Sequence, residues 1–469
     1  MKLNKLTIKQ SKEGLKKKEF SSEELTKSCI GEIERLNPVL NAYLTICKDE
    51  TTEAAKKADE KIKNGEDLPL LGIPIALKDL FLTKGIRTTA SSKVLENYIG
   101  QYDATVVSKL KDAGAIILGK LNCDAWAHGS SGENSDFGPA RNPWDTERTP
   151  GGSSSGSAVS VAADMTIAST GTDTGGSIRL PAGFCNVVGL KPTYGRVSRN
   201  GIVAMSSSLD AIGHFTKTVE DNALFLNVTA GKDAFDATTP NVPVPDYTKT
   251  LNKDIKGLRI GIPKEYFPEG MDKKIKEKTM EAIKFFEKQG AEIVNISLPH
   301  TDYAIATYYI IQPAEVSSNL ARYDGIRYGN DRSFFGKEAK RRIMLGTFTL
   351  SAGYYDAYYK KAMKVRTLIK QDYEKAFEKV DAIITPVSPS LPWKLGEKIN
   401  DPLKMYLSDI FTVTANLAGI PGLSVPIGFI DSLPVGMQIL GPQFSEELLF
   451  RLGHQYEINH EWNKERPNL

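Results

Sequence analysis

A stretch rich in glycine and serine, residues 149–181, constrains this chain more than any other segment. It holds two loops of small residues, separated by the apolar segment 158–168, and Ser153 and Ser177 each follow a Gly-Gly pair in one of them. Glycines let successive backbone N–H groups converge on one point, and a helix N-terminus adds positive potential there. Because a flexible linker would not carry an apolar helix and strand between its loops, the pattern favours a nucleophilic serine beside oxyanion-binding N–H groups.

A nucleophilic serine needs a base, and a histidine is the first possibility. Residues 152–156 formally match G-x-S-x-G, with Ser154 as the nucleophile. That motif requires a buried strand directly before the serine, whereas residues 145–150 are polar and contain a proline. The Ser-His-Asp interpretation is therefore disfavoured.

The second possible base is Lys78, which ends the apolar strand predicted over residues 72–78. Burial disfavours the charged form of a lysine and lowers its pKa, so that the neutral amine can take a proton from a serine. From the residues alone, a strand-end lysine in water or paired with Asp79 remains the favoured interpretation.

Composition excludes several classes of protein. The chain has 469 residues, 41% of them hydrophobic, and a net charge of +3, which supplies no bulk attraction for nucleic acid. The four cysteines lie far apart without CxxC spacing, which predicts a reducing compartment with neither a disulfide framework nor a metal site. No apolar run approaches the roughly 20 residues of a membrane span. We therefore expect a soluble cytoplasmic protein.

Strands alternate with helices along the chain, which predicts an α/β fold. We expect a large mixed, mostly parallel twisted sheet flanked by helices. The predicted organisation is an N-terminal helical layer over residues 1–65 and a main domain over 66–469. The main domain would comprise a catalytic core at 66–232, a second lobe at 257–380 and a C-terminal return to the core at 381–469.

Two local predictions bear on the elements described below. Ser21 followed by Glu24 is typical of a capping box at the start of a helix, which Asn37-Pro38 is expected to end. Near the C-terminus, the spacing of apolar residues predicts one continuous helix over 405–418.

Three segments, 72–79, 150–158 and 171–182, resemble the amidase signature family. In combination the three segments are very specific, whereas G-G-S-S alone would be weak. The resemblance extends from about residue 10 to about residue 460 of this chain. It implies the fold of that family and the cleavage of an amide bond.

The resemblance implies a role for each residue at a motif position. Ser177 would be the nucleophile that forms the acyl-enzyme, Ser153 the bridging serine on a cis peptide, and Lys78 the base. The backbone N–H groups of the loop would form the oxyanion hole, assigned to Thr174, Gly175 and Gly176.

A finer resemblance links residues 317–329, 340–347 and 353–361 to the branch of the family that releases ammonia from glutamine inside a tRNA-dependent amidotransferase. That branch implies a heterotrimer with a B and a small C subunit. This chain has no G-x-x-x-x-G-K-[ST] loop and no strong basic patch, so we expect ATP-dependent activation and tRNA binding on a partner and no cofactor in this chain. ATP, Mg²⁺ and tRNA would bind the B subunit.

The same branch implies a pocket for glutamine. Arg342 would bind the substrate carboxylate, Asp409 its ammonium group, Tyr308 would line the pocket and Ser131 would contact the amide side. A free amino acid carries both charges, so its pocket needs a cation and an anion. On the residues alone, a solvated helix face for Arg342 and a helix cap or surface charge for Asp409 remain the favoured interpretations.

Together these features predict the amidase component of an ATP-dependent carbon-nitrogen ligase that uses glutamine as its amido donor. The ammonia would convert Glu-tRNA(Gln) to Gln-tRNA(Gln), and Asp-tRNA(Asn) remains open as an acceptor. The alternative is a stand-alone amidase of the same family acting on another small amide. A non-catalytic scaffold is a third hypothesis, against which the intact Lys78, Ser153 and Ser177 argue.

Overall fold

The computed structural model of the protein describes residues 2–327 and 329–469. Tyr328, which falls in the family-matching stretch 317–329, lies outside the described residues. Within the described residues, eleven strands form one mixed sheet. The strands are β1 (Tyr43–Ile46), β2 (Pro74–Lys78), β3 (Ile116–Leu121), β4 (Ala168–Asp173), β5 (Val188–Lys191), β6 (Ala211–Thr216), β7 (Arg259–Pro263), β8 (Glu292–Ile296), β9 (Ala382–Pro386), β10 (Gly422–Ile430) and β11 (Leu433–Leu440).

Helices pack around this sheet and bury it. They are α1 (Ile8–Lys17), α2 (Ser22–Leu40), α3 (Lys48–Lys63), α4 (Thr105–Asp112), α5 (Ser155–Ala162), α6 (Arg179–Cys185), α7 (Val219–Thr229), α8 (Lys273–Lys288), α9 (Ala304–Leu320), α10 (Lys337–Thr349), α11 (Lys360–Phe377), α12 (Pro402–Tyr406), α13 (Val413–Ala418) and α14 (Glu446–His460). None of the helices in the described ranges is long and apolar enough to cross a membrane.

The strand order across the sheet is β1-β3-β2-β4-β6-β5-β10-β11-β9-β7-β8. The predicted α/β fold with a mixed sheet and flanking helices is confirmed. The expected excess of parallel pairs is wrong, since among the described strands six pairings are antiparallel and four are parallel. Parallel neighbours need a long crossover, and links as short as that between β10 and β11 permit only a hairpin.

The parallel neighbours β2 and β4 position the site. Ile75 of β2 lies opposite Ala168 of β4, so the two strands end at the same edge of the sheet. Lys78 is the last residue of β2 and Asp173 the last of β4. Every residue of both strands is buried, as expected for strands covered on both faces.

The segments proposed as separate units all contribute to this one sheet. Residues 1–65 hold α1 to α3 and also β1, an edge strand that the sequence pattern did not reveal and that pairs with β3. The proposed second lobe, 257–380, adds β7 and β8 to the opposite end through β9. A shared sheet does not define the boundaries between these units, so the division of the chain into them remains a prediction.

Local structure confirms one helix signal and corrects two. The Ser21 hydroxyl accepts from the Glu24 N–H and the Glu24 carboxylate from the Ser21 N–H, which confirms the capping box. Helix α2 continues through Pro38 to Leu40, because a proline so near the end removes only one hydrogen bond. The predicted helix 405–418 is broken after α12, and a short 3₁₀ turn there carries Asp409.

Candidate active site

The Lys78 amine lies inside a shell of hydroxyl groups. Its Nζ is 2.8 Å from Ser153 Oγ, 2.9 Å from Ser154 Oγ and 2.8 Å from Thr172 Oγ1. The side chain is completely buried, and no carboxylate of the described residues lies within ion-pair distance of it. Burial lowers the pKa of Lys78 to about 8, although more distant acidic groups such as Asp124 oppose the shift. The amine is therefore easily neutralised near physiological pH.

The three hydroxyls differ in what they can offer this amine. A neutral amine has two N–H donors and one lone pair, so one neighbour must donate to it. Ser154 Oγ already donates to the Thr172 carbonyl at 3.1 Å. Ser153 Oγ has no other hydrogen-bond partner among the described residues, so its proton is free for Lys78. This arrangement also leaves Ser154 unsuited to act as a nucleophile.

The loop before α5 places Ser153 against the neighbouring loop 124–134. The Gly152–Ser153 peptide bond is cis, as the family resemblance implies. The Gly152 N–H donates to the Ser130 carbonyl, and the Asp124 N–H donates to the Ser153 carbonyl. The Asp124 carboxylate in turn accepts two backbone N–H bonds within its own loop, and burial raises its pKa to about 7. The sequence had not singled out this aspartate.

Ser177 lies directly beside the other serines. Its carbonyl accepts a hydrogen bond from the Ser154 N–H at 3.2 Å. The residue is 9% exposed, and its hydroxyl has no hydrogen-bond partner in the described part of the chain. The structure thus brings Lys78, Ser153 and Ser177 together, but the Ser153 and Ser177 hydroxyls do not bond to each other.

The loop between β4 and α6 corrects the predicted oxyanion hole. The Gly176 N–H donates to Asp173 Oδ1 at 2.8 Å, and the Gly175 carbonyl accepts from Thr412 Oγ1 at 2.6 Å. Both ends of the Gly175–Gly176 peptide group are thus already engaged, which removes Gly176 as a free donor. Three backbone N–H groups of this loop meet no acceptor among the described residues: those of Thr174, Gly175 and Ser177.

A buried ion pair between Arg179 and Asp173 stabilises the loop between β4 and α6. Arg179 is completely buried and donates to both Asp173 carboxylate oxygens at 3.1 Å. Its remaining bonds go to Asn416 at 2.7 Å and Gln438 at 2.8 Å, on α13 and β11. Burial alone would raise the pKa of Asp173, but Arg179 and its other hydrogen-bond donors outweigh it and lower that pKa to about 2. The C-terminal return of the chain therefore supports the nucleophile loop.

Arg179→Met is expected to destabilise the fold by about 3–5 kcal/mol, because it leaves the Asp173 carboxylate buried without its partner. Thermal or urea unfolding monitored by circular dichroism measures the loss. The matched control is Arg148→Met, which removes a half-exposed pair with Asp145 and should cost less than about 1 kcal/mol. Equal losses in the two variants would contradict the assignment.

Asp409 lies in a small polar cluster above the loop. Its Oδ2 accepts from Ser130 Oγ at 2.7 Å and from the Tyr309 hydroxyl at 2.9 Å, and burial raises its pKa to about 6. Tyr308 contacts the loop instead, since a Cβ added at Gly175 would lie 2.7 Å from its ring. The sequence analysis did not single out Ser130 and Tyr309, the residues that donate to the carboxylate.

Ser131 makes its hydrogen bonds with neighbouring loop residues. Its Oγ accepts from the Glu133 N–H at 3.3 Å, and its carbonyl accepts from the Thr149 hydroxyl. Among the described residues it makes no hydrogen bond to Asp409 or Arg342.

Arg342 is buried rather than on a solvated helix face. Its Nε donates to Glu338 Oε1 at 2.8 Å and its Nη1 to Gln312 Oε1 at 2.9 Å. The guanidinium also lies over the rings of Tyr309 and Tyr406, 5.4 and 5.7 Å from their centroids. Glu338 precedes Arg342 by one helical turn, an i,i+4 spacing that could have revealed the pair from the sequence.

His128 is a further buried group that the sequence did not assign to the pocket. Both of its ring nitrogens lack a hydrogen-bond partner among the described residues. Burial, together with the nearby charge of Arg342, holds the pKa of His128 well below its usual value. The imidazole is therefore neutral.

The chain is similar over its whole length to known proteins. The amidase family profile matches residues 24–450. The A subunits of the glutamyl-tRNA(Gln) amidotransferases from Desulfatibacillum aliphaticivorans and Carboxydothermus hydrogenoformans are each 55% identical to it. Both matches cover 100% of this chain and 100% of the relative.

Solved structures agree with this assignment. The A subunit of the glutamyl-tRNA(Gln) amidotransferase from Thermotoga maritima superposes with a TM-score of 0.84 at 45% identity, covering 97% of this chain and 95% of that one. The peptide amidase of Stenotrophomonas maltophilia gives a TM-score of 0.83 at 30% identity, with 97% of each chain covered. From the profile match, the full-length relatives and the lysine-serine site, we conclude that this chain belongs to the amidase family, the amidase signature enzymes.

Proposed function

We propose that this chain is the glutaminase component, the A subunit, of a glutamyl-tRNA(Gln) amidotransferase. It hydrolyses the side-chain amide of glutamine and supplies the ammonia to a partner. The observation that carries the amide-cleaving chemistry is the buried Lys78 amine, 2.8 Å from Ser153 Oγ and without an acidic partner among the described residues. The full-length relatives at 55% identity support the choice of glutamine and of the larger enzyme.

Acylation begins with neutral Lys78 drawing a proton through Ser153 from Ser177. For this step the Ser177 side chain turns toward Ser153, and its Oγ attacks the amide carbon of glutamine. The N–H groups of Thr174, Gly175 and Ser177 hold the developing oxyanion, and each such donor typically contributes about 3 kcal/mol. The intermediate collapses, the same relay protonates the leaving ammonia, and water then hydrolyses the γ-glutamyl ester.

The polar cluster binds the amino acid end of glutamine. Arg342 takes the carboxylate, Asp409 the ammonium group, and Tyr308 lines the pocket against the loop. Ser131 keeps its proposed place beside the amide, since its hydroxyl proton has no acceptor among the described residues. The zwitterion thus meets one basic and one acidic side chain, and Glu338 balances the charge of Arg342 before the substrate binds.

The rest of the reaction belongs to the partners. The B subunit binds ATP, Mg²⁺ and tRNA, a small C subunit completes the heterotrimer, and the complex works in the cytoplasm. Glu-tRNA(Gln) is the proposed acceptor, with Asp-tRNA(Asn) as the alternative.

The test is to purify the chain with whatever proteins accompany it and to measure ammonia release from glutamine. We expect release to depend on the partner subunits and to increase with ATP and Glu-tRNA(Gln). Equal hydrolysis of other small amides by the chain alone would indicate a stand-alone amidase. Failure of a sulfonyl fluoride to label the protein would indicate a non-catalytic scaffold.

The pH dependence of the reaction follows from Lys78. Because only the neutral amine accepts a proton, kcat for glutamine should rise about tenfold per pH unit below a pKa of about 8 and level off above it. Asp409, with a pKa of about 6, must be ionised to bind ammonium, so KM should rise below that pH. Initial rates of ammonia release in matched buffers measure both. A kcat that stays flat through this range would contradict a lysine base.

A further inference from the structure

Gln312 is a buried polar residue that has no role in the mechanism proposed above. It lies on α9 four residues after Tyr308, so the two side chains project from the same face of the helix. Gln312 is completely buried. Tyr308 packs on the oxyanion loop, whereas Gln312 contacts Arg342. One face of α9 therefore joins the loop to the guanidinium.

The orientation of the Gln312 amide follows from its partner. Arg342 Nη1 lies 2.9 Å from Gln312 Oε1. A guanidinium group has donors only, so the amide must present its oxygen to it. The amide nitrogen Nε2 is therefore not the atom that meets Arg342, and it is buried without a hydrogen-bond partner among the described residues. A buried donor without an acceptor is unfavourable, which makes it a marker for a missing acceptor.

The chemistry around this donor indicates what the acceptor is. Arg342 Nη2 also has no hydrogen-bond partner among the described residues, since the guanidinium donates there through Nε and Nη1 alone. A guanidinium nitrogen and an amide nitrogen, on two groups already bonded to each other, provide donors for the two oxygens of a carboxylate. The buried His128 imidazole, whose pKa is lowered by burial and by the charge of Arg342, is neutral and adds no charge to this region.

We propose that Gln312 is a specificity-determining residue whose side-chain N–H₂ donates to the α-carboxylate of the substrate bound at Arg342. The inference rests on the proposed function and extends it. Tyr308 at the loop and Gln312 at the carboxylate are four residues apart, about 6 Å of helix rise. The three-carbon chain of glutamine between its amide and its carboxylate carbon spans such a separation. The pocket thereby selects free amino acids over neutral amides.

The deciding variant is Gln312→Glu in the complete enzyme. It retains an oxygen to accept from Arg342 and removes the N–H₂ donor. We expect KM for glutamine to rise about 10- to 100-fold with kcat within about twofold. KM for glutaminamide, which has a carboxamide in place of the α-carboxylate, should change much less, so the preference for glutamine falls. Gln371→Met, on the exposed face of α11, is the control and should leave both constants unchanged.

Other outcomes overturn the inference. An unchanged KM for glutamine in Gln312→Glu would show that no N–H₂ donor reaches the carboxylate, because this variant both removes the donor and adds a negative charge beside it. Gln312→Met separates the two effects, since it removes the donor without adding charge, and KM should rise there as well. Gln312→Met answers the same question if the glutamate variant does not fold, because an unchanged KM for glutamine there also excludes the contact. A wild-type complex that hydrolyses no glutamine would refute the proposed function instead, so the two failures are distinguishable.

Discussion

Ser177→Ala is expected to lower glutamine hydrolysis by about 10³- to 10⁶-fold, the range found when a nucleophile of a catalytic triad is removed. Neither neighbouring serine of the 153–154 pair can replace it, because Ser154 donates to a backbone carbonyl and Ser153 faces the amine. Glutamate formation gives the rate, and intact mass spectrometry of the quenched enzyme shows whether the γ-glutamyl ester forms.

An assay of the assembled enzyme distinguishes a specific loss of glutamine hydrolysis from misfolding or failed assembly of the variant. Since ammonia made by this chain is consumed by the partner, the Ser177→Ala complex should still amidate Glu-tRNA(Gln) when ammonium chloride is supplied. Ser157→Ala is the control, because its hydroxyl is buried in α5 without a partner among the described residues. Full glutamine hydrolysis by Ser177→Ala would exclude it as the nucleophile.

Lys78→Met is expected to be comparably damaging, with kcat reduced by about 10³-fold or more, because the relay then has no base. Lys78→Arg should not restore activity, since a guanidinium group stays protonated at every accessible pH. Lys78→Met should stay folded, because the wild-type amine has no ionic partner among the described residues to leave stranded. Lys78→Arg buries a larger and permanently charged group without such a partner, so circular dichroism must show that this variant is folded before its activity is compared.

A second lysine provides the matched comparison. Lys109 is half-buried, bonds to two backbone carbonyls and also has a pKa lowered by burial, yet it lies on α4 away from the serines. Lys109→Met should therefore retain normal kcat. Wild-type activity in Lys78→Arg, measured by ammonia release across the pH range, would show that another group is the base.

The grouping of Lys78, Ser153 and Ser177 in the candidate active site could be predicted from the sequence, because these residues lie in short, locally specified loops. Lys78 ends a strand of apolar residues, and Ser153 and Ser177 follow glycine pairs whose backbone freedom the loops require. The capping box at Ser21 was equally local. The oxyanion loop shows the limit of prediction from local sequence. The Gly176 N–H becomes engaged by the Asp173 carboxylate only when the loop folds back on the strand that precedes it.

The surroundings of the residues proposed to bind glutamine could be predicted only in part. Arg342 and Asp409 were identified through family resemblance, while the residues that contact them, such as Gln312 and Tyr309, were not. These contacts join segments far apart in the chain, as Gln312 with Arg342 and Tyr309 with Asp409 show.

By itself, the sequence determined the alternation of strands and helices, the loops that carry the reactive serines and the family to which the chain belongs. Those features depend on residues close together in the chain. Only the tertiary structure decided the pKa of Lys78, the antiparallel majority of the sheet and the pairing of Arg179 with Asp173. Each of these depends on contacts between distant segments: the hydroxyls around Lys78, the neighbouring strands of the sheet, and Asn416 and Gln438, which bind Arg179 from the C-terminal part of the chain. Such contacts remove water from charges and strand edges only in the assembled fold.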